Sequence, residues 1–393
     1  MGQSAMTTDQ SMQYGAPSQK QMAYYNKCIN TLANAFHYSV VAPTDENPMS
    51  GEVSAAERET AEYVSRLFKS VYEPGAPKES ASQLAAASYI DPEAEYPDPP
   101  TILSSNDIPV LTQGDFSAVV GQAGTRKSWF CLLLAACYLS EGRFPESSPF
   151  EAEMKPRLLL WIDTEQGASR VARTQRRLAR AVGETSGKYM FFSMREFEAP
   201  TRLMATAYLI IRYKPALVII DGIADLMNDP NDVLESALIR QFLLSITSRC
   251  DNHIIAVIHS NEKSIVDKAR GHVGSEVSRK ASTMFNLTSE GVSTTVAYDK
   301  TRDARPEGFS LIIENGLPKI IDMVRPTPAA KKEKLNLFAT YCKNHPTGVR
   351  KSELLRYFVD ASGKSASTAK RLCQLALEME IIEKSGEFYY EKS

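Results

Sequence analysis

Phe116-Ser117-Ala118-Val119-Val120-Gly121-Gln122-Ala123-Gly124-Thr125-Arg126-Lys127-Ser128-Trp129-Phe130-Cys131-Leu132-Leu133-Leu134 reads as an apolar strand, a glycine-containing loop and an apolar helix joined without a break. A loop of that kind wraps successive backbone N–H groups around phosphate oxygens, at a helix N-terminus whose dipole favours anions. The expected phosphate cradle is Gly121, Gln122, Ala123, Gly124, Thr125, Arg126, Lys127 and Ser128, with Trp129 opening the helix behind it. Lys127 is placed to reach the β- and γ-phosphates of ATP, and Ser128 to ligate Mg²⁺. One position departs from the usual pattern: Arg126 stands where a glycine precedes the lysine. A side chain there restricts the backbone, so Arg126 is expected to point outward or toward a phosphate.

Working outward, apolar runs alternate with helical patterns from Leu111 to Asp322, the signature of a mostly parallel sheet with flanking crossover helices. Strands are expected at 116–120, 158–162, 189–192, 217–220 and 254–258. Further runs at 282–287, 294–298, 309–313 and 319–321 lack intervening helices and suggest antiparallel strands extending the sheet. Two of the buried-type strands end in acids, where a parallel sheet presents its ligand crevice. Leu217-Val218-Ile219-Ile220-Asp221-Gly222 offers Asp221 to the Mg²⁺, directly or through water. Leu158–Gln166 ends in Asp163-Thr164-Glu165, from which Glu165 could activate an attacking water. Helix capping is the competing role for these acids, Asp163 in particular over the helix 168–182.

The flanks carry less chemistry. Residues 1–20 are polar and rich in Gln, Ser and Met, which reads as disorder. Two helical segments follow up to residue 72; the second opens with the capping-box pair Ser54 and Glu57 and sets Val64, Leu67, Phe68 and Val71 on one face. Prolines at 74, 77, 92, 97, 99 and 100 mark a linker over 73–101, ahead of the sheet domain at 102–323. A second linker, 324–330, leads to residues 331–393, which read as three helices and a hairpin turning at Ser385-Gly386: the plan of a winged helix. That module has 12 Lys/Arg against 8 Asp/Glu. Lys364, Ser367, Thr368, Lys370 and Arg371 open its third helix and suit duplex DNA, although such modules also bind proteins.

Bulk properties exclude some classes. The net charge of −2 means that any nucleic-acid surface must be local. No apolar run approaches membrane-spanning length, and no signal-peptide stretch opens the sequence. The six scattered cysteines lack close-spaced pairs, which argues against structural zinc and for reduced thiols in a cytoplasmic protein.

The ordered set of phosphate loop, Asp163-Thr164-Glu165-Gln166, Ile219-Ile220-Asp221-Gly222 and His259-Ser260-Asn261-Glu262-Lys263 resembles RecA-fold ATPases of the RepA-like replicative helicase type, close to those of plasmids and mobile elements. The resemblance covers about residues 100–322. It implies that Glu165 is the catalytic glutamate and that His259 senses the γ-phosphate. It further implies that Lys263, Lys268, Arg270, Arg279 and Lys280 belong to a loop facing single-stranded DNA in a ring's channel; a solvated charged loop is the alternative. Lys300 and Arg302 match cations that reach a neighbouring subunit's γ-phosphate. Together these imply a homo-oligomeric, ring-forming motor on DNA, with a hexamer as one candidate size, a helicase or loader with ATP and Mg²⁺. An ATP-dependent regulatory switch and a sequence-specific DNA-binding regulator are the alternatives; a small-molecule kinase leaves the late strands and the C-terminal module without a role.

Overall fold

The computed structural model describes residues 18–37, 54–72, 85–86, 88–145, 148–183, 188–260, 271–302, 304–321, 328–362 and 366–392. Its centre is a nine-stranded sheet of order β12-β11-β10-β9-β3-β8-β7-β5-β6. The parallel part comprises β3 (Asp115–Gly121), β5 (Leu159–Asp163), β6 (Tyr189–Ser193), β7 (Leu217–Asp221), β8 (His253–His259) and β9 (Thr283–Glu290). β10 (Ser293–Lys300), β11 (Phe309–Glu314) and β12 (Leu317–Ile321) extend it antiparallel. All nine expected strands are present. The first of the late group differs from expectation, because β9 runs parallel to β3. A short helix, α7 (Gly271–Lys280), supplies the crossover that a parallel connection needs.

Helices cover both faces, as the two-sided burial of β3, β5, β7 and β8 requires. On one face lie α3 (Lys127–Leu139) and α4 (Ala168–Val182); on the other lie α5 (Ala199–Tyr213) and α6 (Val233–Cys250). From Phe130 to Leu139 every residue of α3 is buried, so this apolar run, too short to span a membrane, is core. Among the described residues no helix is long and apolar enough to cross a membrane.

Three strands went unforeseen: β1 (Thr101–Ser105), β2 (Ile108–Thr112) and β4 (Phe150–Ala152) form a small separate sheet. The first begins one residue inside the span read as linker. Its turn, Asn106-Asp107, has both residues at positive φ, a conformation open to Asn and Asp, yet Pro109 and the short runs hid the strands. The N-terminal helices α1 (Gln19–His37) and α2 (Ala55–Tyr72) pack on α5 and α6. α1 starts two residues inside the segment read as disordered, because Ser18 and Gln21 form a capping box. The expected box in α2 forms too: Ser54 N donates to Glu57 Oε2 at 2.6 Å and Glu57 N to Ser54 Oγ at 3.2 Å. Val64 and Phe68 are buried in the main core and Leu67 packs against it; the side chain of Val71 lies outside the described residues.

The C-terminal residues form α8 (Pro328–Lys343), β13 (Val349–Arg350), α9 (Lys351–Ser362), α10 (Ala366–Glu378), β14 (Ile382–Ser385) and β15 (Phe388–Glu391). α8 begins inside the span read as the second linker, with Pro328 at a position where its missing N–H is harmless. The three short strands pair in the order β13-β15-β14. A core of its own contains Phe338 stacked on Phe358 at 4.5 Å, with Leu354, Ala369, Leu372 and Ala376.

Candidate nucleotide site

Register brings the site together. Neighbouring strands pair Gly121 with His259, Asp221 with Val257 and Asp163 with Asp221, so four strand ends open onto one crevice. The loop after β3 turns back sharply: Thr125 N and Oγ1 both donate to Gln122 O, at 3.3 and 2.9 Å. Gly121 has to be glycine, since a Cβ there would meet Thr125 Oγ1 at 2.6 Å and Leu287 O at 2.7 Å. Gln122, Ala123 and Gly124 form the exposed crest, Thr125 is buried, and Ser128 and Trp129 are half-buried at the start of α3.

Arg126 adopts φ 62° and ψ 34°, the left-handed conformation that the missing glycine would have taken. For a residue with a Cβ this costs about 1–2 kcal/mol. The guanidinium does not run out into solvent. Nη1 donates to Ser289 Oγ at 2.7 Å, Thr294 Oγ1 at 3.0 Å and Ser293 O at 3.1 Å, and Nη2 to Gly291 O at 3.0 Å. All four acceptors belong to the β9–β10 hairpin, and charge-assisted bonds of this number offset the backbone strain. Arg126 therefore points neither outward nor at the place a phosphate would take.

Lys127 is 6% exposed, and burial lowers the pKa of its ammonium. Its Nζ donates to Gly121 O at 2.9 Å and Gln122 O at 2.8 Å, and lies 3.1 Å from His259 Nδ1. An ammonium can only donate, so Nδ1 accepts and the ring hydrogen sits on Nε2, which donates to Glu165 Oε1 at 2.9 Å. Lys127, His259 and Glu165 thus form one hydrogen-bonded line across the crevice. The bond from His259 holds the Glu165 carboxyl below its usual range against the opposing effect of burial.

Asp221 is buried, and burial pushes its carboxyl up to about 7 despite a hydrogen bond from Ser128. Its Oδ2 is buried with no hydrogen-bond partner. An anion so placed beside the Ser128 hydroxyl fits a hard divalent cation, which would supply the missing counter-charge. Among the described residues there is no group of three or more His, Cys, Asp or Glu set to hold a metal. Mg²⁺ asks for less: one or two protein oxygens together with water and phosphate.

Asp163 does not cap α4, whose N-cap is Gly167 with no side-chain bond. Its Oδ1 instead accepts from Glu165 N at 3.0 Å and Gln166 N at 2.7 Å, holding the loop that carries Glu165; burial raises its carboxyl to about 6. Thr164 Oγ1 sits within 3.0 Å of Asp221 O, Gly222 O and Asp225 Oδ2, stitching the β5 end to the β7 end. Gly222, at φ +108°, leaves room for that hydroxyl.

Lys127, Ser128, Glu165, Asp221 and His259 line a cavity of about 380 Å³. Its second wall was missed: Arg170, Arg173, Thr174 and Arg177 of α4, with Arg177 over the Trp129 ring at 4.3 Å. The signal was legible, because these residues repeat at helical spacing directly after the acidic strand end.

Lys300 and Arg302 are elsewhere. Arg302 pairs with Asp115 at 2.7 Å, at the opposite end of β3 from Gly121 and roughly 20 Å away at the rise of an extended strand. Lys300 Nζ donates to Arg279 O at 2.8 Å, after an irregularity in β10 at Tyr298/Lys300. Arg279, Lys280, Lys300 and Arg302 thus share the end of the sheet opposite the phosphate loop. Lys263, Lys268 and Arg270 lie outside the described residues, as do Lys364 and the side chains of Ser367, Thr368 and Arg371. Lys370 is exposed on α10.

Residues 80–264, just under half of the chain, match the family model of an AAA domain. No curated protein matches the chain. The match spans the phosphate loop, both acidic strand ends and His259, and it coincides with the sheet order and site geometry described above. The chain carries a P-loop ATPase domain. Its large, mostly parallel sheet with flanking helices fits the RecA-like arrangement.

Proposed function

We propose that this ATPase is a ring-forming motor on DNA, a helicase or loader of the RepA-like type in the replication or transfer of a plasmid or mobile element. The observation that carries the reading is the division of the proposed catalytic groups between the two ends of the strands of one sheet. Lys127, Ser128, Glu165, Asp221 and His259 meet at the phosphate loop, whereas Lys300 and Arg302 sit at the opposite strand ends, out of reach of that loop in the same chain. Cations so placed serve a nucleotide only if it belongs to another copy, which makes hydrolysis depend on assembly.

In this reading the three hydrogens of Lys127 pass from the loop carbonyls and His259 to the β- and γ-phosphates. Ser128 and Asp221 would hold Mg²⁺, which when bound would draw charge from the transferring phosphoryl group. Glu165 takes the proton of the attacking water. His259, bonded to both Lys127 and Glu165, registers whether the lysine is engaged and passes that state to the segment after residue 260. Arg173 and Arg177 flank the rest of the nucleotide. Arg279 and Lys280 contact phosphates of a single strand, together with Lys263, Lys268 and Arg270.

The C-terminal module is read as a winged helix for duplex DNA. Three helices on a small three-stranded sheet, the excess of basic residues and the exposed Lys370 support this. The test is the ATPase rate with and without single- and double-stranded DNA, alongside sizing with and without ATP. Stimulation by single strands and an ATP-dependent ring are expected. Hydrolysis indifferent to DNA in a protein that stays monomeric would replace the motor with a switch acting on protein partners.

A further inference from the structure

The phosphate loop is tied to a strand that leads away from it. Arg126 grips the β9–β10 hairpin through four acceptors on Ser289, Gly291, Ser293 and Thr294. Thr294 Oγ1 adds a fifth contact, 3.4 Å from Thr125 O. β9 lies directly against β3, with Leu287 opposite Gly121, and the hairpin beyond it meets the loop at Thr125 and Arg126. From this grip β10 runs to the opposite end of the sheet's strands and ends at Lys300, two residues before Arg302. Its interior is fixed by the register with β9 and by the buried bond from Tyr298 Oη to Ser105 Oγ at 2.8 Å. Paired with β9 without a break from Ser293 to Tyr298, β10 can carry a shift from the hairpin to the irregularity that precedes Lys300. The hook also comes from the residue adjacent to Lys127, so a change in the lysine's partners reaches the hairpin through one peptide unit.

We propose that Arg126 is a positioning residue that couples occupancy of the phosphate loop, through β10, to Lys300 and Arg302 at the opposite strand ends. One copy's nucleotide would thereby set the posture of the cations it offers to the next copy. The proposal rests on the reading of residues 121–128 as the phosphate site and goes beyond it. It also gives the arginine in place of glycine a purpose: glycine would satisfy the same backbone angles but leave the hairpin unhooked.

The substitution Arg126→Gly suits a test, because glycine accepts φ 62° without strain and removes only the side chain. Hydrogen exchange of peptides covering 284–302 is measured on the full chain with and without Mg²⁺ and a non-hydrolysable ATP analogue. Binding of the analogue is titrated in parallel. In the unaltered chain the analogue is expected to slow exchange in these peptides several-fold. In Arg126→Gly, at analogue concentrations that saturate the variant by its own titration, the hairpin response is lost. The double substitution Ser289→Ala/Thr294→Val removes acceptors from the other side and is expected to weaken the response likewise, whereas a purely structural hook would lower the melting temperature and leave the response intact. A full response in Arg126→Gly, or none in the unaltered chain with analogue bound, overturns the coupling alone. Failure of the unaltered chain to bind the analogue overturns the phosphate-loop reading, and the coupling with it.

Discussion

Glu165 and Lys127 sit at the two ends of one hydrogen-bonded line, yet their loss should have different consequences. Glu165→Gln keeps the shape and the bond from His259 but cannot take a proton. Its kcat is expected to fall by roughly 10²–10⁴-fold while the affinity for ATP changes little, as a KM–kcat separation would record. Equal loss in kcat and affinity would instead make Glu165 a support of the loop. At this scale the sequence was informative where chemistry fixes both residue type and spacing, as for Lys127, Ser128 and Asp221. It was uninformative where the role depends on what lies across space. Arg126 shows this best: only the fold brings residues 289–294 within reach of it. Asp163 is another case, since capping a helix and capping a loop look alike in one dimension.

Among the elements, the β8 start holds a buried histidine that should make the domain acid-sensitive. His253 Nδ1 donates to Thr112 O at 2.7 Å and Nε2 accepts from Ser117 Oγ at 3.0 Å, and burial lowers its pKa to about 4. The unfolded chain protonates near 6.5, the folded one near 4, so between these values the unfolded state binds more protons. Stability from this group is complete above about 6.5 and is lost as pH falls toward 4, by up to ~3 kcal/mol. Asp221 and Asp163, both raised by burial, act in the opposite sense. Comparing melting curves of the unaltered chain and His253→Gln isolates the histidine; an equal acid slope in both would refute its role. The N-terminal helices make a second prediction. Phe68 is fully buried in the core that α2 shares with α6, so Phe68→Ala should cost about 3–5 kcal/mol. Denaturant unfolding would measure it, and a loss under ~1 kcal/mol would mean that α2 docks only loosely. Strands buried on both faces were readable from their unbroken apolar runs. The small β1–β2–β4 sheet was not, because its strands are short and two lie beside a proline-rich stretch.

For the whole molecule, the separation between the phosphate loop and Arg302 makes a prediction about mixtures. Arg302→Ala and Lys127→Ala copies should each be inactive alone, the first still binding nucleotide. Mixed together they should recover a fraction of the activity, since each can supply what its neighbour lacks. No recovery at any ratio would leave Arg302 as the surface partner of Asp115. The coarse plan of a sheet domain with helices before it and a small module behind it was legible from apolar periodicity and proline placement. The spatial relation between the two groups of basic residues was not, because a strand that reverses direction carries Lys300 and Arg302 to the end of the sheet where α7 ends.

The functional expectations depend on residues 121–128, 165, 221 and 259 forming one pocket for a metal-bound nucleoside triphosphate. Titration of the purified full chain with a fluorescent ATP analogue and Mg²⁺, beside Lys127→Ala, tests that most directly. Saturable binding that weakens by about 100-fold or more in Lys127→Ala is the result this account predicts. No binding by the unaltered chain, or equal binding by both, would contradict it.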